Sequence, residues 1–330
     1  FIFSFSLKVI KMYLRKKLKY MNFLLIISGL ILLILGGNWL LQSSVALSLK
    51  LNIPKIVIGM TVVSFATSAP ELIVSINAAL SGKADLALGN VIGSNIANLA
   101  LVLGITLLLG KMEVQKSFYK TDWPVMMIAS LLLYFFLAGD NVIEQYEGVI
   151  LLTFLIFFLV YLLKFQKTAV LDDILEEEAP MPVLKIILFF IIGGAGLWGG
   201  SELLISGAIS LAQEFGVSER IIGVTIVSIG TSVPELAASV IAVLKKEKAI
   251  SLGNLIGSNI FNILAVLGIT SIITPVALTD QGLLTNDIFW MLGISLLVLP
   301  LVFIPKSYVL NYKDGIVLLA IYAAFIYITI

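Results

Sequence analysis

The chain has no cysteine and no histidine, and only 12% of its 330 residues are charged. Each shortage removes a class of function. Without cysteine there are no disulfides, thiolate metal sites or thiol nucleophiles. Without histidine, haem ligation by His, His-based zinc sites and a Ser–His intramembrane protease each lose an essential part. The charged fraction is about half that of an ordinary globular domain. A soluble enzyme, a nucleic-acid binder and a disordered scaffold are therefore disfavoured together.

What the chain has instead is apolar length: 60% hydrophobic residues and a mean hydropathy of +1.10. Long uncharged runs recur from Asn22 onward. They are apolar on every face, unlike the alternating strands of an outer-membrane barrel. A spanning helix needs about 20 residues, and the runs predict ten spans, at 22–43, 54–81, 86–110, 123–139, 147–164, 183–205, 219–244, 249–273, 287–305 and 314–330. The expected fold is an all-α polytopic membrane protein.

The longest polar stretch separates these spans into two sets of five. It holds Asp172, Asp173, Glu176, Glu177 and Glu178, then Pro180 and Pro182. Residues 165–182 read as a solvated acidic linker between a first unit at 21–164 and a second at 183–330. Alternate loops on one side carry thirteen Lys, among them Lys50, Lys55, Lys111, Lys164, Lys185 and Lys245, against Lys83 and Arg220 on the other. That bias places the linker in the cytoplasm and both ends of the ten-span unit outside, in the cytoplasmic membrane of a prokaryote. Residues 1–20 run against it, with six positive charges from Lys8 to Lys19. They read as a non-core basic segment: an extension ahead of the true start, a processed leader, or a stretch lying on the membrane surface.

Residues 59–106 align without a gap with 223–270, and 26 of the 48 positions are identical. Both copies carry GxTxVSxxTSxPEL, then LGNxIGSNIxN, then VLGIT. The chain is internally duplicated. Five spans per copy is an odd number, so the second copy is expected to cross in the opposite sense: two inverted five-helix repeats. Such repeats with interrupted helices at matching positions point to a transport site at the bilayer midplane.

The acids sharpen this. Of 20 carboxylates, only Glu71 and Glu235 are expected deep inside apolar runs, and they are the same residue of the two copies. Each follows a proline, Pro70 or Pro234, which interrupts the helical ladder and frees carbonyls near Thr67 and Thr231. Thr67, Ser68, Thr231 and Ser232 add hydroxyls in the same turns. The next span of each copy is expected to break at Gly89–Asn90 and Gly93–Ser94–Asn95, or at Gly253–Asn254 and Gly257–Ser258–Asn259. Asn98 and Asn262 stand four residues after Ser94 and Ser258, on one helical face with them. Carboxylates, hydroxyls, amides and free carbonyls form an all-oxygen set suited to Na+ and Ca2+, and ill suited to soft transition metals. Two buried acids are costly enough to argue for a site over mere helix contacts.

With ATSAPEL at 66–72, GNVIGSN at 89–95, GTSVPEL at 230–236 and GNLIGSN at 253–259, the chain resembles the sodium/calcium exchanger branch of the Ca2+/cation antiporter superfamily. The resemblance implies Na+ and Ca2+ as transported ions, no organic cofactor and no enzymatic activity. It implies Glu71 and Glu235 as central Ca2+ ligands, helped by the carbonyls of Thr67 and Thr231. Ser64, Thr67, Ser68, Ser94, Ser228, Thr231, Ser232 and Ser258 would serve outer and inner Na+ sites, with Asn98 and Asn262 at the middle. Spans 1 and 6, rich in glycine, would be the moving gate. Asn262 stands where potassium-dependent relatives carry Asp, so no K+ requirement is expected. The proton/calcium branch, with a GNAxEH-like segment, is the alternative; GNVIGSN and the missing histidine favour Na+. An ion channel could use the same oxygens, but a carrier better suits the duplication.

Overall fold

The computed structural model describes residues 2–165, 181–215, 228–304 and 308–329, with side chains outside 2–20, 214 and 228. It is helical almost throughout. The helices are α1 (Ile2–Leu51), α2 (Lys55–Thr67), α3 (Ala69–Leu80), α4 (Ala84–Leu109), α5 (Phe118–Asp140), α6 (Gln145–Phe165), α7 (Val183–Glu214), α8 (Ser228–Gly230), α9 (Val233–Leu244), α10 (Lys248–Ile273), α11 (Leu283–Phe303) and α12 (Tyr312–Thr329). Among the described residues, eight helices are long and apolar enough to cross a membrane, or nine with the bent pair α2–α3 counted as one. Of the expected seventh span, 219–227 lie outside the described residues, as do 166–180 of the linker.

Burial divides the helices into two shells. In α4 and α10, 78% of the most apolar window is buried, against 22–33% in the other long helices. The central pair therefore has protein on all sides, while the outer helices turn Ile, Leu and Phe side chains toward lipid, as Phe157 and Leu184 do at 69% exposure. The backbone of 2–20 continues α1 as helix, so the basic stretch begins as an extension of the first span.

Two-residue strands tie the copies together outside the helices. β1 (Met112–Glu113) pairs antiparallel with β4 (Val309–Leu310), and β2 (Val142–Ile143) with β3 (Val276–Ala277). Each pair joins one copy to the other. The helices after β2 and β4 start alike. The Glu147 carboxylate accepts the Glu144 N–H at 2.9 Å, and the Asp314 carboxylate accepts the Asn311 N–H at 2.8 Å. These acids satisfy donors that a helix start leaves unpaired.

α1 and α7 run antiparallel and touch through glycines seven residues apart. A Cβ on Gly29 would come within 2.7 Å of the Gly200 carbonyl, and one on Gly36 within 2.8 Å of the Gly193 carbonyl; one on Gly207 would meet the Asn22 carbonyl at 2.9 Å. From sequence, Gly29, Gly36, Gly37, Gly193, Gly194, Gly196, Gly199 and Gly200 are expected to smooth spans 1 and 6 for sliding against the rest of the molecule. Most of them instead bring α1 and α7 into backbone contact with each other, because small residues let membrane helices approach closely. Gly37 and Gly194 are the ones facing the other helices, at Ile241 and Ala66.

Candidate cation site

The site begins with two breaks in otherwise regular helix. α2 ends and α3 starts at Ser68, with φ −88° and ψ 5°, and the two segments differ in direction by 45°. Ser232 has the same conformation, φ −84° and ψ 2°, ahead of α9. Pro70 and Pro234 are the cause in each case: proline has no N–H for the carbonyl four residues back and crowds it. A third conformation-breaking element, expected at the Gly–Asn pairs of α4 and α10, is absent. Both helices run unbroken through GNVIGSN and GNLIGSN, then loosen into π-helical turns at Ala97–Val102 and Asn262–Leu267. Backbone inside a bilayer must keep its hydrogen bonds, and a π turn keeps them; Asn98 and Asn262 stand in the first turn of each. Such turns recur at functional sites.

Between the breaks, the two copies meet through polar side chains. Glu71 and Glu235 have no solvent exposure, and neither do Ser64, Thr67, Ser258, Asn98 or Asn262. Ser68, Ser94 and Ser232 are also buried, and Thr231 is partly so. The Thr67 and Ser258 hydroxyls lie 3.3 Å apart, and their counterparts Thr231 and Ser94 lie 3.1 Å apart. The Ser68 hydroxyl donates to Glu235 Oε1 at 3.3 Å, and Thr67 and Ser258 also border that carboxylate. Glu71 is close enough to Glu235 for their charges to repel. The Ser64 hydroxyl donates to the Gly59 and Asn254 carbonyls at 2.8 and 3.0 Å. Contacts thus gather Ser64, Thr67, Ser68, Ser258, Glu71 and Glu235 into one group and join Ser94 to Thr231 in a second; Asn98, Asn262 and Ser232 are buried, and the side chain of Ser228 lies outside the described residues.

Six further residues take part: Ser75 and Ser239, which the sequence does not single out, and Asn90, Asn95, Asn254 and Asn259, expected only as parts of helix breaks. Asn90 donates to the Ser75 hydroxyl at 3.0 Å, and Asn254 to Ser239 at 3.1 Å, the same contact in each copy. Asn254 Oδ1 also accepts from the Thr67 hydroxyl at 3.1 Å. Asn95 and Asn259 form a reciprocal pair across the copies, each amide N–H donating to the other's backbone carbonyl at 3.2 Å. Ser75 and Ser239 could have been found: each follows its glutamate by four residues, on the same face. One correction concerns acids. Asp122 is fully buried as well, accepting the Thr121 hydroxyl at 2.8 Å, but it stands at the end of the π turn that opens α5, not in the central cluster.

Several oxygens in this cluster have no hydrogen-bond donor. Both carboxylate oxygens of Glu71, Oε2 of Glu235, the amide oxygens of Asn98 and Asn262, and the Ser232 hydroxyl are buried and without a hydrogen-bond partner. Leaving a buried polar group unpaired costs about 1–3 kcal/mol, and more for a charge. All the orphans but the hydroxyl are pure acceptors, the complement of a cation. Among the described residues no group of three or more His, Cys, Asp or Glu converges, so any cation held here is held by two acids and neutral oxygens.

A family model for the sodium/calcium exchanger protein family matches residues 21–164 and 185–330. CaxA of Alkalimonas amylolytica is 39% identical over 310 residues, covering 92% of this chain and 97% of its own. The sodium/calcium exchanger MaX1 of Methanosarcina acetivorans is 28% identical over 347 residues, with the same two coverages. Among solved structures, the sodium-calcium exchanger NCX_Mj superposes with a TM-score of 0.80 at 29% identity, over 93% of this chain and 98% of that one. The chain is an integral, multi-pass membrane protein with the fold of that exchanger. It belongs to the sodium/calcium exchanger family of cation antiporters.

Proposed function

We propose that this chain exchanges Na+ for Ca2+ by alternating access to one midplane site built on Glu71 and Glu235. The observation that carries the reading is the set of buried, unpartnered acceptor oxygens on Glu71, Glu235, Asn98 and Asn262. Ca2+ takes six to eight oxygens in flexible geometry and tolerates carboxylate, carbonyl and amide together; Mg2+ demands a tighter octahedron and sheds water reluctantly. The hydroxyls of Thr67, Ser68, Ser94, Thr231, Ser232 and Ser258, with the carbonyls freed by the two prolines, supply the neutral oxygens that Na+ shares.

Competition for overlapping ligands is what makes the transporter an exchanger. With no cation, two negative charges face each other in a dry interior, each costing several kcal/mol. The site therefore crosses between its two accessible states only when Na+ or Ca2+ neutralises Glu71 and Glu235. K+ has no part, because position 262 is an amide.

Ten spans in two inverted repeats complete the reading. Two contacts support it. α1 and its counterpart α7 run antiparallel, as an inversion requires. The β2–β3 pair puts the loops before α6 and after α10 on one side, so an even number of crossings separates them. The excess of Lys on the linker's side makes it the cytoplasmic side.

Equilibrium binding of ⁴⁵Ca2+ to the detergent-purified protein tests the site. Saturable binding that Na+ displaces and an equal concentration of K+ leaves intact is the expected result. Binding that Na+ does not displace would overturn shared ligands.

A further inference from the structure

The four central asparagines are arranged as two chains of hydrogen bonds, and each chain starts from a backbone carbonyl. A carbonyl can only accept, so it fixes the side chain that meets it. The Asn95 amide donates its N–H to the Asn259 carbonyl at 3.2 Å, which turns Asn95 Oδ1 the other way. That oxygen can only accept, so Asn262 must present its N–H to it, and does so at 3.0 Å. Asn262 Oδ1 is left as the free end, buried and without a hydrogen-bond partner. The second chain repeats the first: Asn259 N–H to the Asn95 carbonyl at 3.2 Å, Asn98 N–H to Asn259 Oδ1 at 3.2 Å, and Asn98 Oδ1 free and buried. An amide is nearly symmetric in shape and has two orientations to choose between. Here the chain of donors removes the choice.

We propose that Asn95 and Asn259 are positioning residues that hold Asn262 and Asn98 with oxygen, never nitrogen, toward the transported cation. This rests on the reading of the central cluster as a Ca2+ site. Each positioning residue acts across the copies, Asn95 on Asn262 and Asn259 on Asn98. The ligand orientation of one repeat is therefore set by the backbone of the same repeat through a side chain of the other. The arrangement has a consequence for selectivity. An unconstrained amide can turn its N–H toward a water or another acceptor and withdraw an oxygen from the cation. The locked amide always offers an acceptor, so the site keeps its oxygen count as cations come and go. Removing a partner that orients a metal ligand typically lowers metal affinity about 10–100-fold.

The test is a double-mutant cycle read as Ca2+ affinity, by equilibrium ⁴⁵Ca2+ binding to the purified full-length protein. Asn259→Ala is expected to weaken Ca2+ binding about 10–100-fold with the number of sites per molecule unchanged. In an Asn98→Ala background, where no amide remains to be oriented, the same Asn259→Ala change is expected to have little further effect. Equal weakening in both backgrounds, or none in either, would overturn the proposal. Should Asn259→Ala not yield folded protein, the Asn95→Ala and Asn262→Ala cycle asks the same question through the other chain, with the same pair of results. Absence of saturable Ca2+ binding in the unmodified protein would remove the site itself, an outcome distinct from an additive cycle in a protein that binds.

Discussion

Glu71 and Glu235 are equivalent in sequence but not in surroundings. Glu235 takes a hydrogen bond from Ser68, whereas Ser232, the counterpart of Ser68, makes none to Glu71. Both oxygens of Glu71 remain without a donor, which makes it the group most in need of a cation. Changing Glu71→Gln preserves shape while removing one of two negative charges; the expected result is loss of Ca2+ transport with normal expression and monodisperse purified protein. Glu235→Gln should do the same, with less effect on folding because its hydrogen-bond donors can also serve an amide. ⁴⁵Ca2+ uptake by reconstituted variants, measured beside size-exclusion profiles, checks both. Near-normal uptake in either variant would remove that residue from the site. Glu71, Glu235 and their hydroxyl and amide neighbours stand out in the sequence for a plain reason: the duplication marks each twice, and acids beside prolines inside an apolar run have few other uses. Asn95 and Asn259 were not legible as positioning groups, because their role depends on a contact between copies that no spacing within one copy reveals.

At the scale of elements, the α2–α3 bend followed from Pro70, and the expected break at Gly89–Asn90 did not occur. The difference is physical. Proline removes a donor from the backbone, so the ladder must open; glycine and asparagine leave the ladder whole, and in a dry interior a whole ladder is kept. The glycines of α1 and α7, expected to smooth these helices for sliding against the rest, mostly pack them against each other, since a sequence shows small residues without showing what approaches them. Their actual use joins the two helices into one body. Beside this body, an apolar cavity of about 620 Å3 reaches from Ser43 and Ile187 to Ser68, between the pair and the helices carrying the site. The pair and the turn at Ser68 thus line one cavity. Gly36→Leu places a branched side chain where a Cβ alone would meet the Leu197 N–H at 2.7 Å. Overpacking of this kind costs about 1–3 kcal/mol. The expected variant has a lower melting temperature and slower transport, with Ca2+ affinity at equilibrium little changed. Gly199→Leu, at a glycine with nothing within 4 Å of its Cβ, is the control that should do neither. Matching losses in both variants would mean that the close approach of α1 and α7 has no special part.

Across the whole molecule, charge alone predicts the orientation. Thirteen Lys on one set of loops against Lys83 and Arg220 on the other predict a cytoplasmic linker; the strand pairs join loops that this count places on the same side and fit either orientation. The chain has no native cysteine, so single introduced cysteines report sidedness without background. Ser81→Cys, in the exposed turn between α3 and α4, is expected to react with an impermeant maleimide on intact cells. Lys111→Cys, exposed before β1, should react only after the membrane is opened. The reverse pattern would invert the topology and place the acidic linker outside.

Na+ as the driving ion is the centre of the proposed exchange, and one measurement addresses it directly. Proteoliposomes loaded with Na+ are diluted into Na+-free medium containing ⁴⁵Ca2+ at a clamped membrane potential, beside a matched set carrying a pH gradient of the same size, acid inside, with no Na+ present. Family membership permits either driver; the missing histidine, the amides at 98 and 262 and the hydroxyls around Glu71 and Glu235 favour Na+. Ca2+ accumulation is expected to follow the Na+ gradient, to collapse when Na+ is equalised and to be several times larger than that driven by protons. Accumulation driven as strongly by the pH gradient with Na+ absent would contradict Na+ as the driving ion.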